Sequence, residues 1–329
     1  MRPISPWRTG PASGARERVD TLYHSDSLYS AITNTVRLLS PDSAEFSAWL
    51  EATALNPAGS AVRFSSVFPL FTEHLLVAPP RTAWPPQASA KMRWKGARYV
   101  PLSIIPQLLA GGPLDEDQWT VDGASECVVP ANLGGPFKTA VRSSAAVDRL
   151  TGVAVPHTAA CLEFQSGGGL WFLVSYADEI VQNRWDAQLK AAIRLLADSG
   201  FGGERGRGWG RTAAPSFADG DILSLLLPDL IPEALPQSDL YWLLSLYSPA
   251  ESDPIDWSRG NYATVERGGW VEGADAPKQR VRMIEEGSVL AAPAAPAGRA
   301  PDVAPAGFPH PVFRAGFALS IPLPAGGPQ

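Results

Sequence analysis

The chain has 329 residues, 45% of them hydrophobic, and carries 27 Lys and Arg against 33 Asp and Glu, a net charge of −6. That is enough apolar material for one large or two modest soluble, packed domains, and the acidic balance excludes a protein that coats nucleic acid nonspecifically through a broad positive field. Two cysteines, Cys127 and Cys161, give neither a disulfide framework nor a zinc spacing, so a reducing, cytoplasmic setting is expected.

The opening twenty residues, with Pro3, Pro6, Gly10, Pro11 and Gly14, hold no apolar segment of the secretory kind. Residues 27–39 place Leu28, Ile32, Val36 and Leu39 on one helical stripe, with Ser25 or Asp26 as N-cap. A second helix is predicted after Ser40 as cap and Pro41 in the first turn, with Phe46, Trp49 and Leu50 inward. Prolines and absent periodicity make residues 69–86 irregular. Residues 91–99 bring Lys91, Arg93, Lys95 and Arg98 together with Trp94 and Tyr99, a pattern that fits a solvated loop or edge strand as well as RNA contact. Residues 137–165 carry Lys138, Arg142, Arg149 and His157 between β-like runs and read as an inserted arm or hairpin with a basic surface.

After a glycine turn at 167–169, residues 170–176 predict a strand. Trp185, Leu189, Ala192, Ile193 and Leu196 then share one face of the most regular helix in the sequence, closed by Gly200. Strands follow over 240–246, 262–271, 280–290 and 312–321, and the Ala/Pro run 291–306 reads as a dispensable, polyproline-like surface loop. Trp242 and Leu227 are candidates for exposed apolar surface. The longest apolar run, at 223–227, stops at Pro228 and is too short to span a bilayer, so no membrane partner is expected. The pattern is α+β with antiparallel sheets, divided near residue 220 into segments 1–220 and 221–329.

Residues 200–211, GFGGERGRGWGR, hold six glycines and three arginines. Glycine lets the backbone approach a ligand closely, so the amides of Gly202, Gly203, Gly206 and Gly208 can turn toward phosphate oxygens. Arg205, Arg207 and Arg211 add planar, permanently charged forks, and Trp209 offers a face for a base. A Walker A loop requires Gly-Lys-Ser/Thr opening a helix, which is missing. A dinucleotide fingerprint follows a strand and opens a helix, whereas this loop follows a helix and is expected to precede a strand over 212–217. A mobile linker is the competing reading, but linkers do not alternate arginine with glycine. The polynucleotide backbone is the expected ligand, and no cofactor is expected.

This helix, glycine-arginine loop and α+β pattern resembles the RAMP superfamily of CRISPR proteins. His24-Ser25-Asp26-Ser27-Leu28-Tyr29-Ser30-Ala31-Ile32 is similar to the His-Ser-Asp-Thr-Leu-Phe-Ser-Ala-Ile start of the fourth Csm subunit family. Arg98-Tyr99-Val100-Pro101-Leu102 resembles its Lys-Tyr-Ile-Pro segment. Gly202-Gly203-Glu204-Arg205 continues as the family's loop does, with Gly206 and Arg207 where a serine commonly follows. Residues 283–290, MIEEGSVL, and 310–317, HPVFRAGF, resemble its two C-terminal signatures. The five segments lie in register over nearly the whole chain.

The resemblance implies two ferredoxin-like (RRM-like) domains and a thumb-like hairpin, here placed at about 137–165, against the guide and target duplex. It also implies a non-catalytic subunit of a type III-A complex that grips the 5′ handle of crRNA. Its implied partners are the large Palm-domain subunit, the first backbone RAMP subunit and, in the assembled complex, target RNA. On that reading the loop arginines hold handle phosphates, Trp209 or Phe201 stacks on a base, and His24, Ser25, Lys91, Arg93, Lys95, Arg142 and Arg149 are further RNA contacts.

His24 carries the alternative, because related RAMP endonucleases use a histidine near the first helix to activate a 2′-hydroxyl. A general base needs an assembled constellation, and sequence supplies no partner for this one. Contact with RNA or support of the helix start is the competing role. Histidines 24, 74, 157 and 310 lack metal-ligand spacing, so no metal is expected.

Overall fold

The computed structural model describes residues 1–11, 14–86, 94–228, 238–271, 274 and 276–324. Several antiparallel sheets and three substantial helices give the α+β class expected. Helix Ser25–Leu39 starts two residues earlier than predicted, with His24 at the N-cap position and no side-chain cap bond. Leu28, Ile32 and Val36 are fully buried as the stripe requires, but Leu39, the last residue of the helix, is 40% exposed. The next helix is Ser43–Ala52, capped by Asp42, whose carboxylate accepts from the Glu45 amide at 2.9 Å. Ser40 serves the preceding helix instead, its hydroxyl donating to the Val36 carbonyl. Trp49 meets Trp185 edge-on at 5.3 Å, which joins this helix to Glu179–Ser199. That long helix buries Trp185, Leu189, Ala192, Ile193 and Leu196 on the predicted face and ends at Gly200, with φ 97°.

A four-stranded antiparallel sheet runs in the order Val100–Pro101, His74–Val77, Phe68–Phe71, Gly168–Trp171. Two of its strands fall in the stretch expected to be irregular. Pro69 is tolerated because the ladder to His74–Val77 stops at Leu70 opposite Leu75, and the Leu76 carbonyl accepts the Trp171 Nε1 at 2.8 Å. The predicted strand 170–176 is divided: Val174–Tyr176 leaves this sheet to pair with Val62–Phe64. Residues 137–164 form one long hairpin, Phe137–Val147 against Ala154–Phe164.

A second antiparallel sheet has the order Asp256–Asn261, Val289–Ala291, Leu240–Leu243, Ser320–Pro322. The expected strand 280–290 becomes two, Val281–Ile284 and Val289–Ala291, because Gly287 turns at φ 81° with its α-carbon pressed toward the Pro79 carbonyl, 2.9 Å from where a Cβ would sit. The other predicted strands shorten to Thr264–Arg267 and to the pair Gly316–Phe317 and Ser320–Pro322. The Ala/Pro run is not a dispensable surface loop. Ala291, Ala292 and Val303 are buried, Gly298–Arg299 pairs with Gly316–Phe317, and the Ala297 and Gly298 amides bind the Asp253 carboxylate. Trp242 and Leu227, expected at the surface, lie in the core, where the Trp242 Nε1 donates to the Ala78 carbonyl. One core joins Leu28 and Ile32, Phe68 and Leu76, and Trp242, Val289 and Phe317. No described helix is long and apolar enough to cross a membrane.

Candidate nucleic-acid interface

The glycine loop is folded against the N-terminal segment rather than left mobile. Gly203 donates its amide to the Arg8 carbonyl at 2.9 Å, Gly210 to Pro6 at 2.8 Å and Phe201 to Gly210 at 3.0 Å, while Ile4 donates to Arg211 at 2.9 Å. Gly202 and Gly210 have φ near +75°, and a Cβ on either would lie about 2 Å from a carbonyl oxygen, so both are required to close the loop. The strand expected over 212–217 is absent; beyond a single bridge between Thr212 and Pro3 the chain runs without strand pairing to the short helix Ile222–Leu226.

Phe201 is fully buried and stacks on Trp7 at 5.4 Å; Trp209 packs on Ala159 and Cys161 of the hairpin. The expectation that either ring stacks on a base is therefore corrected, because both rings anchor the loop. The Gly203 amide is likewise spent on Arg8 instead of a phosphate. What faces outward is a 3-10 turn, Arg205–Arg207, with open space around Gly206. Arg207 is braced by Glu204 and Ser144, both at 3.2 Å, and by His157. Arg211 is exposed at the loop's far end, and Gly208 closes the turn in a left-handed conformation.

Beside this turn opens a cleft of about 440 Å³, walled by the first helix at Ser30 and Asn34, by Gly202, Gly203 and Arg205 of the loop, and by Gly268, Trp270 and Lys278. Its floor is ionic. Arg267 grips Asp26 through two bonds of 3.0 Å, and Arg314 binds the same carboxylate while donating to the Gly268 carbonyl at 2.7 Å. Burial alone would raise the Asp26 pKa, but the two guanidinium groups hold it well below the usual carboxylate range.

Next to it, His24 is 2% exposed and uses both ring nitrogens, Nδ1 donating to Glu286 at 2.9 Å and Nε2 to Asp20 at 3.1 Å. The Glu286 carboxylate also accepts from the Ser66 hydroxyl, and Asp20 pairs with Arg98 at 3.2 Å. Burial disfavours the imidazolium, yet the two carboxylates overcome it and the His24 pKa is pushed up to about 9. Ser25 is equally enclosed, its amide donating to Ser66 and its hydroxyl accepting from the Leu246 amide. His24 and Ser25 are thus corrected from RNA contacts to fasteners: the His-Ser-Asp triplet binds the first helix to Glu286, Leu246, Arg267 and Arg314 of the C-terminal part.

This arrangement has a pH signature. The folded pKa of His24 lies above its ordinary 6.5, so its contribution is complete below about pH 6.5 and is lost as pH rises through about 9. Asp20, Asp26 and Glu286 are all held low and contribute above the usual carboxylate range, losing that contribution in acid. Thermal unfolding followed from pH 5 to 9.5 is expected to give a midpoint that declines above pH 6.5, and His24→Gln is expected to flatten that decline.

Among the described residues, the other cationic candidates do not line the cleft. Lys91 and Arg93 fall outside the described residues. Lys95 is exposed on the turn Trp94–Gly96, Arg142 pairs with Glu163 along the hairpin, and Arg149 is exposed at its tip. The residues missed by sequence reasoning are Arg267, Trp270, Lys278 and Arg314. Arg314 lay inside a segment already singled out, and Trp270 follows two glycines, a weak signal for a presented aromatic.

The chain is α+β with antiparallel sheets, and a closed glycine-arginine loop adjoins the cleft. Residues 236–323 match the family model described as the CRISPR Csm4 C-terminal domain. The whole chain shares the fold of a chain in a Csm3-Csm4 subcomplex of the type III-A CRISPR-Cas interference complex, with a TM-score of 0.67 and 16% identity over 98% of this chain and 97% of that one. It also matches a chain of a Csm1-Csm4 cassette in complex with cA4, with a TM-score of 0.58 and 17% identity over 100% and 96% of the two chains. Csm4 is the component common to both assemblies, and the family model matched by residues 236–323 carries the same name. No curated protein matches it in sequence.

Proposed function

We propose that this chain is the subunit of a type III-A CRISPR interference complex that holds the 5′ handle of crRNA and bridges the large Palm-domain subunit, Csm1, to the adjacent backbone subunit, Csm3, with target RNA present in the assembled complex. The likeness to chains from both a Csm1-Csm4 and a Csm3-Csm4 assembly supports the bridging role. The observation that carries the RNA reading is the exposed Arg205-Gly206-Arg207 turn beside a cleft formed jointly by the first helix, the loop and the Arg267–Trp270 segment. Arg205, Arg207 and Arg211 hold handle phosphates there. Segments 1–220 and 221–329 form two ferredoxin-like domains, and the hairpin from Phe137 to Phe164, with Lys138, Arg142 and Arg149, acts as a thumb against the guide and target duplex. Lys91, Arg93 and Lys95 add cationic contacts, and the complex works in the cytoplasm.

The chain does not cut RNA. His24 is buried and held protonated between two carboxylates, so it has no lone pair to accept a proton from a 2′-hydroxyl. Purification of the tagged protein with its native partners, followed by mass spectrometry and RNA sequencing, tests the assignment. RNAs sharing one 5′ end together with a large partner subunit are expected, and repeat RNA incubated with the purified protein stays intact. Cleavage of repeat RNA that His24→Gln abolishes overturns the reading in favour of a processing nuclease.

A further inference from the structure

We propose that the cleft contains a pocket for one unpaired base of the bound RNA, with Trp270 as its stacking platform; this inference rests on the RNA-binding reading above. Trp270 is 60% exposed and lines the cleft, and it makes no ring contact among the described residues. A single exposed side chain is common on any surface, but this one stands over a cleft with polar walls, where its indole face is placed to be covered by whatever enters. The ring is presented by a braced segment: the Lys278 amide donates to the Gly269 carbonyl at 2.8 Å, the Val271 amide to Ala276 at 2.9 Å, and Trp270 bridges to Pro277.

The other walls supply what the rest of a nucleotide needs. Arg205 and Lys278 place positive charge at the rim. In the floor, two arginines face one aspartate, leaving one net positive charge beneath the opening. The Arg314 Nε and the Thr9 Oγ1 belong to residues that line this cleft and are 7% and 4% exposed. Both atoms are buried with no hydrogen-bond partner among the described residues. Buried polar atoms are nearly always paired, so an unpaired donor and an unpaired hydroxyl on residues lining the cleft that also presents a bare indole mark a site built for a ligand that is both polar and aromatic. A volume of about 440 Å³ lies in the range of single small-molecule sites, far too small for a duplex. An everted nucleobase with its attached sugar-phosphate satisfies all of these features, because every base offers a face for the indole and the phosphate answers the arginines.

The test uses the full complex, reconstituted with guide RNAs that carry 2-aminopurine at successive positions of the 5′ segment. One position is expected to be quenched severalfold with the wild-type chain, to recover with Trp270→Ala and to stay quenched with Trp270→Phe. Competition by unlabelled 5′-segment RNA is expected to become about tenfold more effective against the Trp270→Ala complex, as the loss of one stacked base dictates. Bound RNA with no position that differs between wild type and Trp270→Ala overturns this inference alone. Loss of the large subunit from the Trp270→Ala complex, with unchanged fluorescence, also overturns it and assigns the ring to a protein contact. A wild-type complex that does not bind the guide through its 5′ segment overturns both this inference and the function it rests on.

Discussion

Asp26→Ala is expected to cost the folded protein about 3–5 kcal/mol, because it removes the carboxylate that two buried guanidinium groups both bind. Arg267 and Arg314 are each 7% exposed in their side chains, so neither can recover its lost partner from solvent. A typical domain is stable by only about 5–15 kcal/mol, and the variant is expected to unfold at a much lower urea midpoint with an unchanged slope. Replacing all three residues by apolar ones of similar size, Asp26→Leu with Arg267→Met and Arg314→Met, is expected to return much of the loss, since the penalty comes from uncompensated charge rather than from missing attraction. A loss below about 1 kcal/mol for Asp26→Ala, the size of a solvent-screened surface pair, would contradict the buried-network account.

The helices were legible because their apolar stripes repeat at helical spacing and answer to one core: Leu28, Ile32 and Val36 in the first, Trp185 through Leu196 in the longest. Their caps were less so. Ser40, Asp42 and Ser25 are all good capping residues, and only the fold decides that Asp42 caps while Ser25 reaches the Leu246 amide. Strands were misjudged where a long-range partner intervenes: Pro69 hides a strand whose missing amide is covered by Trp171, and Gly287 breaks one at a turn set by Pro79. The alanine-rich run past 291 looked too poor to be buried, yet small residues suit a place where backbones touch.

At the site, the loop was legible as chemistry but not as architecture. Its aromatic residues looked like stacking surfaces and proved to be anchors. The cleft was invisible to local reasoning because its floor joins Asp26 to Arg267 and Arg314, partners 241 and 288 residues away. Those long-range contacts also explain the family resemblance physically. The segments containing His24 and Asp26, Arg98, Glu286 and Arg314 meet in one ionic network under the cleft, through Asp20 in the case of Arg98. Segments that resemble the family far apart in sequence are thus parts of one fastening.

The most direct measurement of the RNA-binding claim is guide retention by the assembled complex as a function of salt, with Arg205→Ala and Arg207→Ala combined. Each phosphate contact on a single strand contributes about 0.7 to the slope of log affinity against log salt, so the double variant is expected to bind more weakly and to show a slope shallower by about 1.4. Arg205→Ala alone, which leaves the Arg207 brace to Ser144 and His157 in place, is expected to give half that change. A double variant that retains the guide with wild-type affinity and slope would contradict the claim that this turn grips the sugar-phosphate chain.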